Sequence, residues 1–114
     1  VPTAPAAAAN LQNDLDLQGT EGDRLLKFFK DHFAIHFPYV VLPAHTTSDE
    51  LRSAKPWLHR SVMMVASQGD RPRQLEMAKQ IATDVAAAML LRGEKSLDML
   101  QSLILYNAWL VLIY

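Results

Sequence analysis

Residues able to do chemistry are few in this 114-residue chain, and they are scattered along it. His32 and His36 are four apart, a spacing that puts two imidazoles on one helix face and can hold zinc. The metalloprotease form needs a glutamate directly after the first histidine, and Phe33 stands there. No third ligand follows. Both histidines therefore read as packing residues at the edge of an aromatic helix, each with a polar tip. Asp70, Asp84, Glu94 and Asp98 are carboxylates that could pair for acid–base work, which demands mutual geometry inside a cleft. Asp70 and Asp98 are better explained as helix-start residues. No Ser-His-Asp order, nucleophile elbow or glycine-rich phosphate loop is present. The sequence thus nominates no catalytic, cofactor-binding or metal-ligating residue.

Two further groups carry charge or adaptable apolar surface. Arg52, Lys55, His59, Arg60, Arg71 and Arg73 form a modest basic cluster. With 12 acidic residues against 11 basic ones and a formal net charge of -1, it reads as a solvated face. Binding nucleic acid as a polyanion normally takes a basic face. Trp57 with Met63 and Met64 could line a small-molecule pocket or a partner groove, since methionine is common at adaptable surfaces. Core packing is the default for such residues. The chain has no cysteine, which excludes disulfides, iron–sulfur clusters and thiolate zinc sites within it. The longest apolar run, from Leu103, is broken by Asn107 and falls short of the roughly 20 residues a membrane span needs. No basic segment followed by an apolar block marks a signal peptide.

The elements that would position these residues are helical. Residues 1–19, rich in Ala and Pro, read as a flexible linker. Thr20 is a plausible cap for an amphipathic helix over 21–36, with Leu25, Leu26, Phe29, Phe33 and Phe37 as its apolar stripe. Pro38 and Pro43 bracket an extended connector that lays Phe37, Val40 and Leu42 on the core. Thr47 and Glu50 make a capping box for a short helix over 48–54. Pro56 suits the first position of a helix over 56–68, with Leu58, Val62, Val65 and Ala66 on one face. Gly69 would end it in the left-handed conformation, and Asp70 would cap a helix over 71–92. In that helix Leu75, Ala78, Ile81, Ala82, Val85 and Met89 face inward. Gly93 ends it, and Ser96 caps a last helix over 96–114.

The last helix repeats Leu97, Leu100, Ile104, Ala108 and Val111 at three- and four-residue steps and is almost wholly apolar beyond Leu103. A helix dry all round needs neighbours on every side, so it is expected at the centre of the domain. The fold class expected is all-α: an irregular bundle of four to five helices without a sheet. The chain starts at Val1 and stops within an apolar helix, as a fragment of a longer protein would.

The segment from Glu94 to Trp109 resembles part of the regulatory middle homology region of fungal zinc-cluster transcription factors. Phe37 to Pro43, Leu51-Arg52, Lys55 to Leu58 and Val65 to Ser67 follow that family's order and spacing, so the resemblance covers roughly residues 25–114. Ser102 departs from it, where glycine is the commoner residue. The resemblance implies that 20–114 is the N-terminal part of a helical regulatory domain in a nuclear protein. It implies that DNA is read, and zinc held, by a cysteine cluster outside this chain. A protein partner, a small-molecule effector or a homodimer of the parent protein would then be the points of control, with no membrane involved. Two other expectations share the same periodicities: a helical interaction or scaffold module outside transcription, and a piece of an α-helical enzyme whose active site lies elsewhere.

Overall fold

A computed structural model describes residues 19–113 of the chain. The helices are α1 (Gly19–His32), α2 (Ser48–Ala54), α3 (Pro56–Ala66), α4 (Arg71–Arg92) and α5 (Leu97–Ile113), with a 3₁₀ turn over Ala34–His36. There is no strand among the described residues. Apart from Gly19, which opens α1, the expected linker lies outside them.

Local signals set most of the helix ends. The Thr47 hydroxyl accepts the Glu50 N–H (3.2 Å) and donates to the Glu50 carboxylate (3.1 Å), so the capping box closes through the two side chains. Asp70 accepts the Arg73 N–H at 3.2 Å, and Ser96 Oγ accepts the Met99 N–H at 3.0 Å. Gly93 takes the left-handed conformation (φ 64°), which lets its N–H and that of Glu94 satisfy the Met89 and Ala88 carbonyls. Gly69 does not do the same for α3. That helix ends earlier, at Ala66, where Ser67 turns its hydroxyl back onto the Met63 carbonyl (2.8 Å). Nor does α1 reach residue 36. It stops at His32 and tightens into the 3₁₀ turn, which swings Phe37 inward to stack on Phe29, with ring centroids 6.1 Å apart. Thr20 lies inside α1 instead of capping it.

The centre of the domain is α3, and this corrects the expectation for α5. Helix α3 packs against each of the other four helices. From Leu58 to Ala66 every residue but Arg60 is buried. A helix buried on all sides must have neighbours on all sides, and here it does. Helix α5 instead has one wet face, and it is the stripe read as its core. Leu97, Leu100 and Val111 are 64%, 52% and 77% exposed, and Ile104 is 37% exposed. The buried face is Met99, Ser102, Leu105 and Trp109. The inner face of α4 is likewise shifted, to Gln74, Met77, Ala78, Ile81, Val85 and Ala88. Leu75, Ala82 and Met89 face solvent. Gln74 displaces Leu75 because its amide is needed inside, where it donates to the Met64 carbonyl (3.0 Å) at the end of α3.

The stretch from Pro38 to Pro43 has neither helix nor strand, as expected. Phe37 and Val40 are buried, and Leu42 packs at the core edge. Lys30 holds it down, its ammonium donating to the carbonyls of Pro43, Ala44 and Thr46 at 3.1–3.3 Å.

Truncating the fully buried Leu58 or Leu105 to alanine should destabilise the fold by about 3 kcal/mol through lost burial and a residual cavity. Leu90→Ala, at an 82% exposed position, should stay within about 0.5 kcal/mol. Denaturant titration followed by circular dichroism measures all three.

Candidate functional site

The carboxylates singled out by type are committed to helix ends and neighbouring side chains. Helix α3 starts with Lys55 as its N-cap, which makes no side-chain capping bond, and Pro56, which has no N–H. The next two donors are satisfied from another helix. Asp98 of α5 accepts the Trp57 N–H at 3.0 Å and the Leu58 N–H at 2.7 Å, one on each carboxylate oxygen. Asp98 is a helix-start residue, as read, but the start it serves most directly belongs to α3. An aspartate there also suits the positive end of the helix dipole. Glu94 accepts the Trp57 indole N–H at 3.0 Å. Asp84 accepts from Arg60 (2.7 Å) and Gln80 (2.9 Å), and the Arg60 guanidinium lies 5.4 Å over the Trp57 ring.

More polar contacts line the α3–α5 seam. Lys55 donates to Gln101 (2.8 Å), whose amide donates on to the Tyr39 carbonyl (3.3 Å). The hydroxyls of Ser61 and Ser102, both fully buried, meet at 2.6 Å.

A second polar junction joins three helices. The Asp23 carboxylate of α1 accepts the Ser48 N–H of α2 at 2.7 Å, and Ser48 Oγ lies 2.8 Å from His59 Nε2 of α3. Sequence order did not reveal that Asp, Ser and His come together here. Their types would suit a nucleophile, but Ser48 and His59 are each 0% exposed, so no substrate reaches the hydroxyl. The arrangement ties elements together.

The remaining candidates do not assemble. His32 packs its ring on Phe28, centroids 4.5 Å apart, at the end of α1, while His36 sits in the 3₁₀ turn. Among the described residues no group of three or more His, Cys, Asp or Glu side chains is placed to hold a metal ion. The basic cluster is dispersed. Arg60 pairs with Asp84, Lys55 with Gln101 and Arg52 with Asp49 (3.6 Å), while His59 lies in the core. Met63 and Met64 are fully buried, so neither lines a groove.

The described residues also line shallow grooves. One, of about 410 Å³, lies between α1 and the α3–α4 turn, flanked by Glu21, Arg24, Phe28 and Arg73. Its charges are matched within it: Arg24 grips Glu21 through two hydrogen bonds (2.6 and 3.0 Å) and holds that carboxyl below its ordinary range. The other, of about 360 Å³, lies between the connector and α2, lined by Val41, Leu42, Leu51 and Ala54. No helix of the described residues is long and apolar enough to cross a membrane.

Comparison with known proteins finds distant sequence relatives. The chain is similar to "Transcription factor himD" of Aspergillus japonicus, 26% identical over 95% of the chain. It is similar to "Transcription factor opdL" of Penicillium oxalicum, 29% identical over 79% of the chain. A protein of Aspergillus terreus named "Transcription factor" is 29% identical over 96% of it. The chain spans 16–18% of the length of these relatives. No family model and no solved structure matches. The chain is thus distantly related to fungal transcription factors.

Replacing Asp98 by alanine leaves two backbone donors at the start of α3 without acceptors and should cost about 1–2 kcal/mol. His59→Ala, which opens a cavity and strips Ser48 of its ring partner, should cost about 2–3 kcal/mol. Urea midpoints of the two variants against the unaltered chain, at constant m-value, check both figures.

Proposed function

We propose that this chain is a helical regulatory region of a fungal transcription regulator, acting in the nucleus and carrying no catalysis of its own. The observation that carries this reading is the likeness to proteins named transcription factors along 79–96% of the chain. The fold supports it. Asp98, Glu94, Asp84 and His59 are engaged in joining helices, and many of the residues that resembled the fungal regulatory region, among them Phe37, Leu51, Leu58, Val65 and Trp109, are packed in the core. In the parent protein DNA would be read by a zinc-bearing cysteine cluster, and this region would act on whatever that module recruits. The two serve different ends: one selects a site, the other sets how strongly it is used.

Control by packing is the mechanism that suits such a region. A helical domain can mask or present an activating segment when two arrangements differ by only a few kcal/mol. The polar contacts around α3 are discrete. Asp98 either meets the Trp57 and Leu58 N–H groups or it does not, and a partner or effector that favours one arrangement shifts the balance.

Joining the chain to a heterologous DNA-binding module with its own activation segment tests this. Reporter output should change relative to the module alone, and Asp98→Ala, which loosens the α3–α5 seam, should shift that change by several-fold. Output equal to that of the module alone under every inducing condition would sink the proposal.

A further inference from the structure

We infer that residues 41–46 form a strap that swings open and shut beside α2 while the helices stay folded, and that the Lys30 ammonium is its latch. This inference stands apart from the transcriptional reading, because it uses only the contacts of one segment.

Both ends of the strap are fixed. Val40, just before it, is buried, and its N–H donates to the Phe37 carbonyl at 2.9 Å. Thr47, just after it, caps α2, and the next N–H, that of Ser48, donates to Asp23 of α1 at 2.7 Å. Between these points no residue is buried. Val41 is 74% exposed, and Leu42 alone of the strap's large apolar side chains packs against the core. The Thr46 N–H donates to the Pro43 carbonyl at 3.1 Å, so 43–46 is a closed turn that can move as one piece.

One cation holds this turn against α1. An ammonium has three protons, and the carbonyls of Pro43, Ala44 and Thr46 take those of Lys30 at 3.1, 3.3 and 3.2 Å. No other hydrogen bond or ion pair joins 41–46 to the rest of the described residues. The three bonds are therefore made and lost together. Those to Pro43 and Ala44 lie at the surface, where water can take over both the carbonyls and the ammonium. Opening then sacrifices little beyond these bonds and the partial burial of Leu42, which makes it a local event far below the cost of unfolding a helix.

The strap is also a wall. Val41, Leu42 and Pro43 line one side of the groove of about 360 Å³, and Leu51 and Ala54 of α2 line the other. With the strap shut, Leu51 is 4% exposed. Swinging the strap outward widens the groove and bares more of that side chain. A lysine on α1 thus governs access to an apolar slot beside α2.

Thiol labelling of the whole chain tests this, because a chain without cysteine gives a single reporter wherever one is placed. Leu42→Cys reports the strap. Ala88→Cys, at a 0% exposed site in α4, reports unfolding of the helices, and Thr83→Cys, on the exposed face of α4, gives the unprotected rate. Labelling at 42 should be several-fold slower than at 83 and at least about 100-fold faster than at 88. Dilute urea should barely change it, because local opening exposes little surface, while labelling at 88 climbs steeply. Lys30→Met removes the ammonium, keeps an apolar stem, and should speed labelling at 42 by at least about tenfold. Labelling at 42 with the rate and urea dependence of 88 overturns the inference. So does labelling at 42 as fast as at 83 with Lys30 in place, or a rate at 42 that Lys30→Met leaves unchanged.

Discussion

Two backbone N–H groups at the start of α3 constrain the rest of this fold. Pro56 gives α3 a pre-set first turn but no donor, and Lys55 makes no side-chain capping bond. The N–H groups of Trp57 and Leu58 need acceptors, and a buried donor left without one costs about 1–3 kcal/mol. Asp98 supplies both. Once residue 98 is fixed at the start of α3, the register of α5 follows. One turn further along both helices, Ser102 meets Ser61. The two contacts advance in the same direction, so α3 and α5 run alongside each other with the same sense. Helix α4 must then return the chain between them. Its 22 residues span about 33 Å, ample for the 11 residues of α3.

The interior built on that constraint is more polar than its composition suggests. Ser48, His59, Ser61, Gln74 and Ser102 are all at or below 1% exposure. Each has a hydrogen-bond partner on another element. Apolar faces alone allow a helix to rotate or slide by a residue at small cost, because leucine and methionine repack. A hydroxyl or imidazole bond does not slide: it is made in one register and lost in the next, and the loss is steep in a dry interior. That contrast explains why Gln74 takes an inward position that leucine occupies by composition alone, and why Asp98 and Ser102 together decide which face of α5 is dry.

What was legible in the sequence divides along the same line. The ends of α2, α4 and α5 were readable because their signals are local: Thr47 with Glu50, Asp70, Gly93 and Ser96 lie within a few residues of the groups they satisfy. The all-helical class was readable for the same reason. The identity of the central helix was not. Leu97, Leu100, Ile104 and Val111 report that α5 has apolar surface, not what covers it, and apolar residues are present on every folded surface. Asp98 was recognisable as a helix-start residue, but its service to α3 was not, since the acceptor and its donors are about 40 residues apart. One clue lay in plain view: a helix opening with Lys55 and Pro56 lacks a cap, and a buried uncapped start must borrow its acceptor from elsewhere. The meeting of Asp23, Ser48 and His59 carried no such clue, because nothing in their spacing distinguishes them from other residues of their kind.

A fold held this way has a property that a purely apolar bundle lacks. In an apolar bundle, small disturbances are absorbed by repacking, and the response is graded. Here the α3–α5 seam is carried by a short series of directional contacts, Asp98 with two N–H groups, Ser102 with Ser61, Gln101 with Lys55, and they share one register. Shifting α5 by a residue breaks them together, so intermediate positions are unfavourable. The proposed control by packing would require such a cooperative set of contacts, since close-packed interiors do not deform continuously. On the proposed regulatory function, a partner or effector that unseats α5 would release the start of α3 in the same step.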